Sequence, residues 1–217
     1  QMRGYEHIAR AMAEEFEWLG FFDADEFLRL DDGLTLKGLL AARPEAAVAL
    51  PWVIFGSNGH DEFPDGLLVE TFTRRAEPQF GPNHHVKSII RPALMESCLN
   101  PHAFAMRGDY VDLLGRPIVW GGGPGVLAAT PDHRGGSLNH YFVRSRAHWR
   151  EKMARGYHDL TRPEGEFEAY DRNEVPDERL AARAGEIRRA LAGPLPLLRR
   201  EGLEARDAAA LAKRRGV

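Results

Sequence analysis

The chain has 217 residues, 43% hydrophobic and 28% charged, with a formal net charge of −3 at pH 7. That size fits one domain with a small appendage, and the acidic balance argues against a nonspecific nucleic-acid binder, which needs a basic footprint. A single cysteine, Cys98, excludes a disulfide within this chain and fits a reducing, cytoplasmic setting, and no apolar run approaches the roughly 20 residues of a membrane-spanning helix.

Tyr5, Ile8, Ala9, Met12 and Phe16 recur at helical spacing, so residues 4–15 read as an amphipathic helix. Trp18 to Phe22 follows, bulky and apolar except for Gly20, which predicts a short strand buried on both faces in the middle of a parallel sheet. Polarity then switches abruptly: Asp23, Asp25 and Glu26 gather carboxylates at the end of that strand. If the backbone stays extended, Asp23 and Asp25 point to one side, where open α/β sheets bind ligands. Hard divalent ions take oxygen ligands, often with substrate phosphates completing the set, so this cluster suits a metal-bound diphosphate. The plainer reading, acids solvating a loop before Asp31-Asp32-Gly33, competes with it.

Leu34 to Ala42 reads as a short helix and Ala47 to Phe55 as a strand, with Pro51 predicting an edge or a bulge. Gly56-Ser57-Asn58-Gly59 is a turn, followed by His60, Asp61, Glu62 and Asp65. Leu67 to Phe72 is an apolar element of either type, and 76–85 is a loop. Val86 to Arg91 alternates and reads as a half-exposed strand with Lys87 and Arg91 on one face. Pro101 to Met106, carrying His102, and Leu138 to Val143, carrying His140, read as further strands. The glycines of 121–125 form a turn or lid whose spacing matches no phosphate-binding fingerprint. Ser145 can cap a helix through about Gly156. Residues 161–217 are rich in Glu, Arg, Ala and Pro and read as a helical appendage, with helices at 179–191 and 204–214.

Taken together, W-L-G-F-F-D-A-D-E-F-L (18–28), W-V-I-F-G-S-N-G-H (52–60), K-S-I-I-R-P (87–92), L-N-H-Y-F-V-R-S (138–145) and K-M-A-R-G-Y (152–157) resemble glycosyltransferases of the GT-A fold. The likeness is to the family-2-like and family-92-like group and runs from Gln1 to about Gly156. It implies an α/β fold with a Rossmann-like mixed sheet flanked by helices, a glycosyltransferase region at 1–160 and the appendage at 161–217. Such enzymes carry an N-terminal nucleotide-binding portion that this chain is read as lacking.

The resemblance implies a transfer from a nucleotide-sugar donor, a UDP-sugar first, to a glycan or lipid-linked acceptor, as in polysaccharide biosynthesis. Asp25 and His140 would hold Mn²⁺ or Mg²⁺, with His102 the next choice after His140. Asp23, Lys87 and Arg91 would contact the donor, and Asp61 or Glu62, with Asp65 third, would act as the base. No nucleic-acid partner is expected; contact with the inner face of a membrane and self-association through an open sheet edge are. A non-catalytic carbohydrate-binding module and a metal-dependent phosphoesterase are the rival readings of the same acids.

Overall fold

A computed structural model describes residues 1–41, 43–156 and 165–192. In chain order the elements are α1 (Met2–Ala11), β1 (Leu19–Gly20), β2 (Glu26–Leu30), α2 (Leu36–Ala41), β3 (Ala47–Ile54), α3 (Leu68–Thr71), β4 (Arg74–Arg75), β5 (Val86–Ile90), β6 (Met95–Asn100), β7 (Ala103–Met106), β8 (Tyr110–Val111), β9 (Gly136–His140), α4 (Arg146–Ala154), α5 (Glu166–Tyr170), β10 (Val175–Pro176) and α6 (Ala184–Ala192). The main sheet runs β1-β5-β3-β9-β2, with β8 also paired to β3. It is mixed: β3 is parallel to β9 and β8, and the other pairings are antiparallel. The expected α/β class with a mixed sheet and flanking helices is what the chain forms.

β3 is the centre, and all eight of its residues are buried. Its apolar run A-V-A-L-P-W-V-I suits a strand covered on both faces. Pro51 was expected to force an edge or bulge; it does neither. Trp52 turns its N–H toward β5, bonding the His85 carbonyl at 2.8 Å, so the Pro51 nitrogen faces the other flank. There β8 has ended opposite Val48 and β9 begins opposite Trp52, and no ladder needs the missing N–H.

Two other strand expectations are corrected. The 18–22 stretch is not a central parallel strand: only Leu19 and Gly20 pair, antiparallel to β5 at the sheet edge, and Phe22 is 38% exposed. β5 is not half-exposed, since all five of its residues are buried between β1 and β3. In α1 the predicted apolar face is only partly used. The helix ends at Ala11, short of the expected 15: Ala9 is buried and Tyr5 stacks on Phe21, but Ile8 faces solvent, as does Phe16 beyond the helix.

Strand alternation splits the interior. Val48, Leu50, Trp52 and Ile54 pack with Ile89 and Leu138 on one face, whereas Val53 and Phe55 pack with Tyr141, Val69, Phe72 and Leu180 on the other. The register puts Lys87 opposite Leu50, His140 opposite Ile54 and Glu26 opposite His140. The first face therefore passes from hydrocarbon into ionisable groups at one end. Among the described residues no helix is long and apolar enough to cross a membrane.

The described part of the C-terminal region packs directly on the rest. Phe167 joins Phe142 and Val143, and Leu180 joins the cluster around Val53. The expected helix at 179–191 appears as a 3₁₀ turn running into α6, while that at 204–214 lies outside the described residues. Asp171 accepts from Ser57 N at 2.6 Å and Asn173 accepts from Asn58 N at 2.8 Å, so this segment clamps the 56–59 turn. A Cβ on Gly56 would sit 2.5 Å from Asn173 Oδ1 and closer still to the Arg172 carbonyl. Gly56→Ala is thus expected to cost about 2–3 kcal/mol in urea unfolding, because backbone on both sides must move; a loss below about 0.5 kcal/mol would mean that the clamp yields freely.

Candidate functional site

The acidic stretch forms a turn, so the condition that would point Asp23 and Asp25 to one side, an extended backbone, is not met. Glu26 N bonds the Asp23 carbonyl at 3.0 Å, and the Glu26 carboxylate reaches back to Asp23 N at 2.8 Å. The two aspartates consequently meet different partners. Asp23 Oδ2 lies 2.8 Å from Lys87 Nζ. Asp25 Oδ1 lies 3.7 Å from His140 Nε2 and Oδ2 lies 3.7 Å from Lys152 Nζ. β2 and β9 fix this meeting, since Tyr141 N donates to the Asp25 carbonyl at 2.9 Å, extending their ladder past His140.

Lys87 is 1% exposed, and its ammonium also lies 3.7 Å from Glu26 Oε2. Glu26 Oε1 is buried without a hydrogen-bond partner. Burial pushes the Glu26 carboxyl up to about 7, against the downward pull of Lys87. His140 is held neutral chiefly by burial and then by the Lys152 and Lys87 charges, which take its pKa well below the usual imidazole value. It packs 4.3 Å from the Trp52 ring. His102 Nδ1 donates to the Val86 carbonyl at 3.0 Å, since a carbonyl can only accept, and burial followed by Lys87 lowers its pKa to about 4.

Of the residues singled out by the sequence, the fold brings together Asp23, Asp25, Lys87 and His140. Arg91 is not among them. It follows β5 at the end opposite Lys87, pairing with Glu17 at 2.6 Å, donating to the Glu45 and Arg43 carbonyls and lying 4.3 Å over the Trp18 ring. Four strand residues, about 13 Å, separate the two cations. Arg91 ties β1 to the start of β3.

Asp61 and Glu62 are exposed and lie along the first part of α4, with Asp61 3.5 Å from Arg146 Nε and Glu62 3.8 Å from Arg150 Nη2. Lys152, farther along the same helix, faces Asp25; along the helix axis it lies about 9 Å from Arg146, the partner of Asp61, and about 3 Å from Arg150, the partner of Glu62. Ser145 caps α4 as predicted, accepting from His148 N at 3.2 Å. Lys152 is the residue that sequence reasoning missed. It lies in the K-M-A-R-G-Y stretch, but nothing in the spacing says that its ammonium donates to the Phe142 carbonyl at 3.0 Å beside Asp25.

Among the described residues no three His, Cys, Asp or Glu side chains are arranged to hold a metal ion. The Asp25–His140 pair nonetheless fits a divalent ion as two of its ligands. His140 Nδ1 is buried without a partner, Nε2 faces the carboxylate at 3.7 Å, and Mg²⁺-type ions accept one or two protein ligands when phosphates supply the rest.

Fold and site define an α/β protein with a strand-end acidic turn, two lysines and a buried histidine in one cluster. Two curated proteins similar to this chain are named for one family. The chain is 33% identical over 105 residues to a glycosyltransferase family 92 protein of Oryza sativa subsp. japonica, covering 46% of this chain and 17% of the relative. It is 32% identical over 124 residues to a glycosyltransferase family 92 protein of Ricinus communis, covering 51% of this chain and 21% of the relative. The alignments therefore take in no more than about a fifth of the length of the curated relatives. No family model matches.

Proposed function

We propose that this chain is a metal-dependent, inverting glycosyltransferase that moves a sugar from a nucleotide-diphosphate donor, a UDP-sugar first, to a glycan or lipid-linked acceptor. The observation that carries the reading is the convergence of Asp25 with His140 and Lys152 at the end of the sheet, in a chain similar to family 92 glycosyltransferases. Asp25 and His140 would hold Mn²⁺ or Mg²⁺, which when bound offsets charge on the departing diphosphate. Lys87 holds Asp23 toward the donor, and Lys152 adds positive charge beside Asp25. At the acceptor, a carboxylate takes the hydroxyl proton, with Asp61 or Glu62 the assigned base. The freed oxygen bonds to the anomeric carbon as its bond to the diphosphate breaks, and the nucleoside diphosphate leaves with that electron pair.

The test is release of UDP from a panel of UDP-sugars with Mn²⁺, in the presence and absence of saccharide acceptors. Acceptor-stimulated release is expected. A rate indifferent to every acceptor would move the site to the phosphoesterase reading. Saccharide binding with no nucleotide affinity would move it to a carbohydrate-binding module.

A further inference from the structure

β2 ends the main sheet with one flank open: among the described residues it pairs only with β9. Two bonds fix which of its groups serve that pairing. Tyr141 N donates to the Asp25 carbonyl at 2.9 Å, and Asp31 N donates to the Gly135 carbonyl at 3.2 Å. In the register between them Phe27 and Arg29 are the hydrogen-bonded partners of Asn139 and Ser137, so Glu26, Leu28 and Leu30 direct their N–H and C=O groups away from β9. Glu26 N is closed by the Asp23 carbonyl. Among the described residues the backbone of Leu28 and Leu30 has no partner on that flank.

A groove follows these two residues. Phe27 and Leu28 line a cavity of about 530 Å³ together with Leu67, Leu68, Leu180 and Ile187. Arg29 and Leu30 line a second cavity, of about 260 Å³, together with Asp31, Arg179 and Arg183, and Arg183 borders both. Outward backbone groups about 7 Å apart beside two hollows match the way an extended chain adds to a sheet edge. Main-chain bonds hold such a chain, and its alternate side chains fill the hollows.

The hollows specify the occupant. On an added strand, the residue opposite Phe27 sends its side chain to the face of Phe27 and so into the larger, apolar cavity; the residue opposite Arg29 reaches the smaller one. Charge in the smaller cavity is not fully spent. Arg29 holds one oxygen of Asp31 and Gly135 N the other. Arg75 and Arg179 share the buried Asp177, and Arg183 holds the exposed Glu186. Arg179 and Arg183 each bond through Nε and Nη2, and among the described residues neither Nη1 has an acceptor. Asp32, the other acid of the lining, is exposed. The donors left over suit an acidic side chain. A second copy of this chain fits less well, because pairing β2 with β2 would set the α3 and α6 walls of each copy against those of the other.

We propose that the open edge of β2 binds an extended peptide segment of a partner protein, antiparallel to β2 and bonded to Leu28 and Leu30. A bulky apolar residue of the peptide fills the larger cavity, and an acidic residue two positions before it meets Arg179 and Arg183. This binding is separate from the proposed sugar transfer and does not depend on it.

Calorimetry with the synthetic peptide acetyl-TTETFTT-amide, joined to amide hydrogen exchange read by NMR, tests the proposal on wild type and on Arg183→Glu. The peptide should bind wild type and slow exchange at the Leu28 and Leu30 amides by at least about 10-fold. N-methylation at positions 2 and 4, which face β2, should cost about 10- to 30-fold in affinity, whereas N-methylation at positions 3 and 5 should cost no more than about threefold. Replacing the peptide glutamate by lysine should weaken binding to wild type by about 5- to 10-fold, and Arg183→Glu, a change at an exposed side chain, should reverse that preference. No binding at millimolar peptide, equal losses from the two methylation patterns, or an unchanged preference in Arg183→Glu would each overturn the assignment. Slow exchange at Leu28 and Leu30 in the free protein would overturn it as well. If that protection is independent of protein concentration, the chain covers its own edge; if it grows with concentration, a second copy is the occupant.

Discussion

Lys87→Met is expected to destabilise the protein by about 3–5 kcal/mol at pH 8, the usual consequence of stranding one member of a buried charge pair. Lys87 Nζ sits between Asp23 and Glu26, at 2.8 and 3.7 Å. The Asp23 side chain is 45% exposed and can recover water when the lysine is gone; that of Glu26 is 0% exposed and cannot. Glu26 can escape only by taking a proton. Its folded pKa, about 7, already stands above the unfolded value of 4.5. The sign follows: its contribution is fully present below about 4.5 and is lost as pH rises through about 7. Removing Lys87 raises the folded value further, so the damage should be much smaller at pH 5 than at pH 8. Glu26→Gln should correspondingly gain about 2 kcal/mol at pH 8 and little at pH 5, and it should rescue Lys87→Met at pH 8. Urea unfolding of the two single variants and the double variant at both pH values measures this. Equal losses at pH 5 and pH 8 would show that Glu26 is not the charge left behind.

Asp25→Ala should reduce Mn²⁺-dependent UDP binding by at least about 100-fold, a loss greater than that usual for outer-shell partners of a metal site. The variant should fold normally. The strand contact at this position is made by the backbone carbonyl, which accepts from Tyr141 N, and among the described residues the side chain's ion-pair partners are His140 and Lys152, each at 3.7 Å. Calorimetry with UDP, in Mn²⁺ and then in chelator, gives the comparison. Wild type in chelator should resemble the variant in metal. Equal UDP affinity in wild type with and without Mn²⁺ would remove the metal from the proposed chemistry.

The two experiments probe opposite sides of one arrangement. Lys87, Asp23 and Glu26 form a buried electrostatic unit that sets the shape of the turn. Asp25, His140 and Lys152 form the other side of the turn. Asp23 and Asp25 are two residues apart in sequence, yet they have separate partners because Glu26 folds back on Asp23 N and closes the turn between them.

Local signals were sufficient for much of this. The apolar run at 47–55 gave β3, the Ser145 cap and helical spacing gave α4, and the polarity switch after Phe22 located the acidic turn. The ordered motifs also pointed to the family of the relatives in rice and castor bean. These features depend on period, capping and composition, which act over a few residues and can be read from the chain itself. Tertiary structure decided which of them meet. β1 became an edge, β5 became buried, Arg91 was drawn to Glu17 rather than to the acids, and Lys152 arrived from a helix more than a hundred residues after Asp25. Nor does any local pattern mark Glu26 as losing water on one oxygen, or Arg144 as turning left-handed with an unpaired nitrogen. An alternating pattern fixes which residues share a face, whereas strand order and register determine what that face touches, and burial, charge pairing and strain follow from the contact.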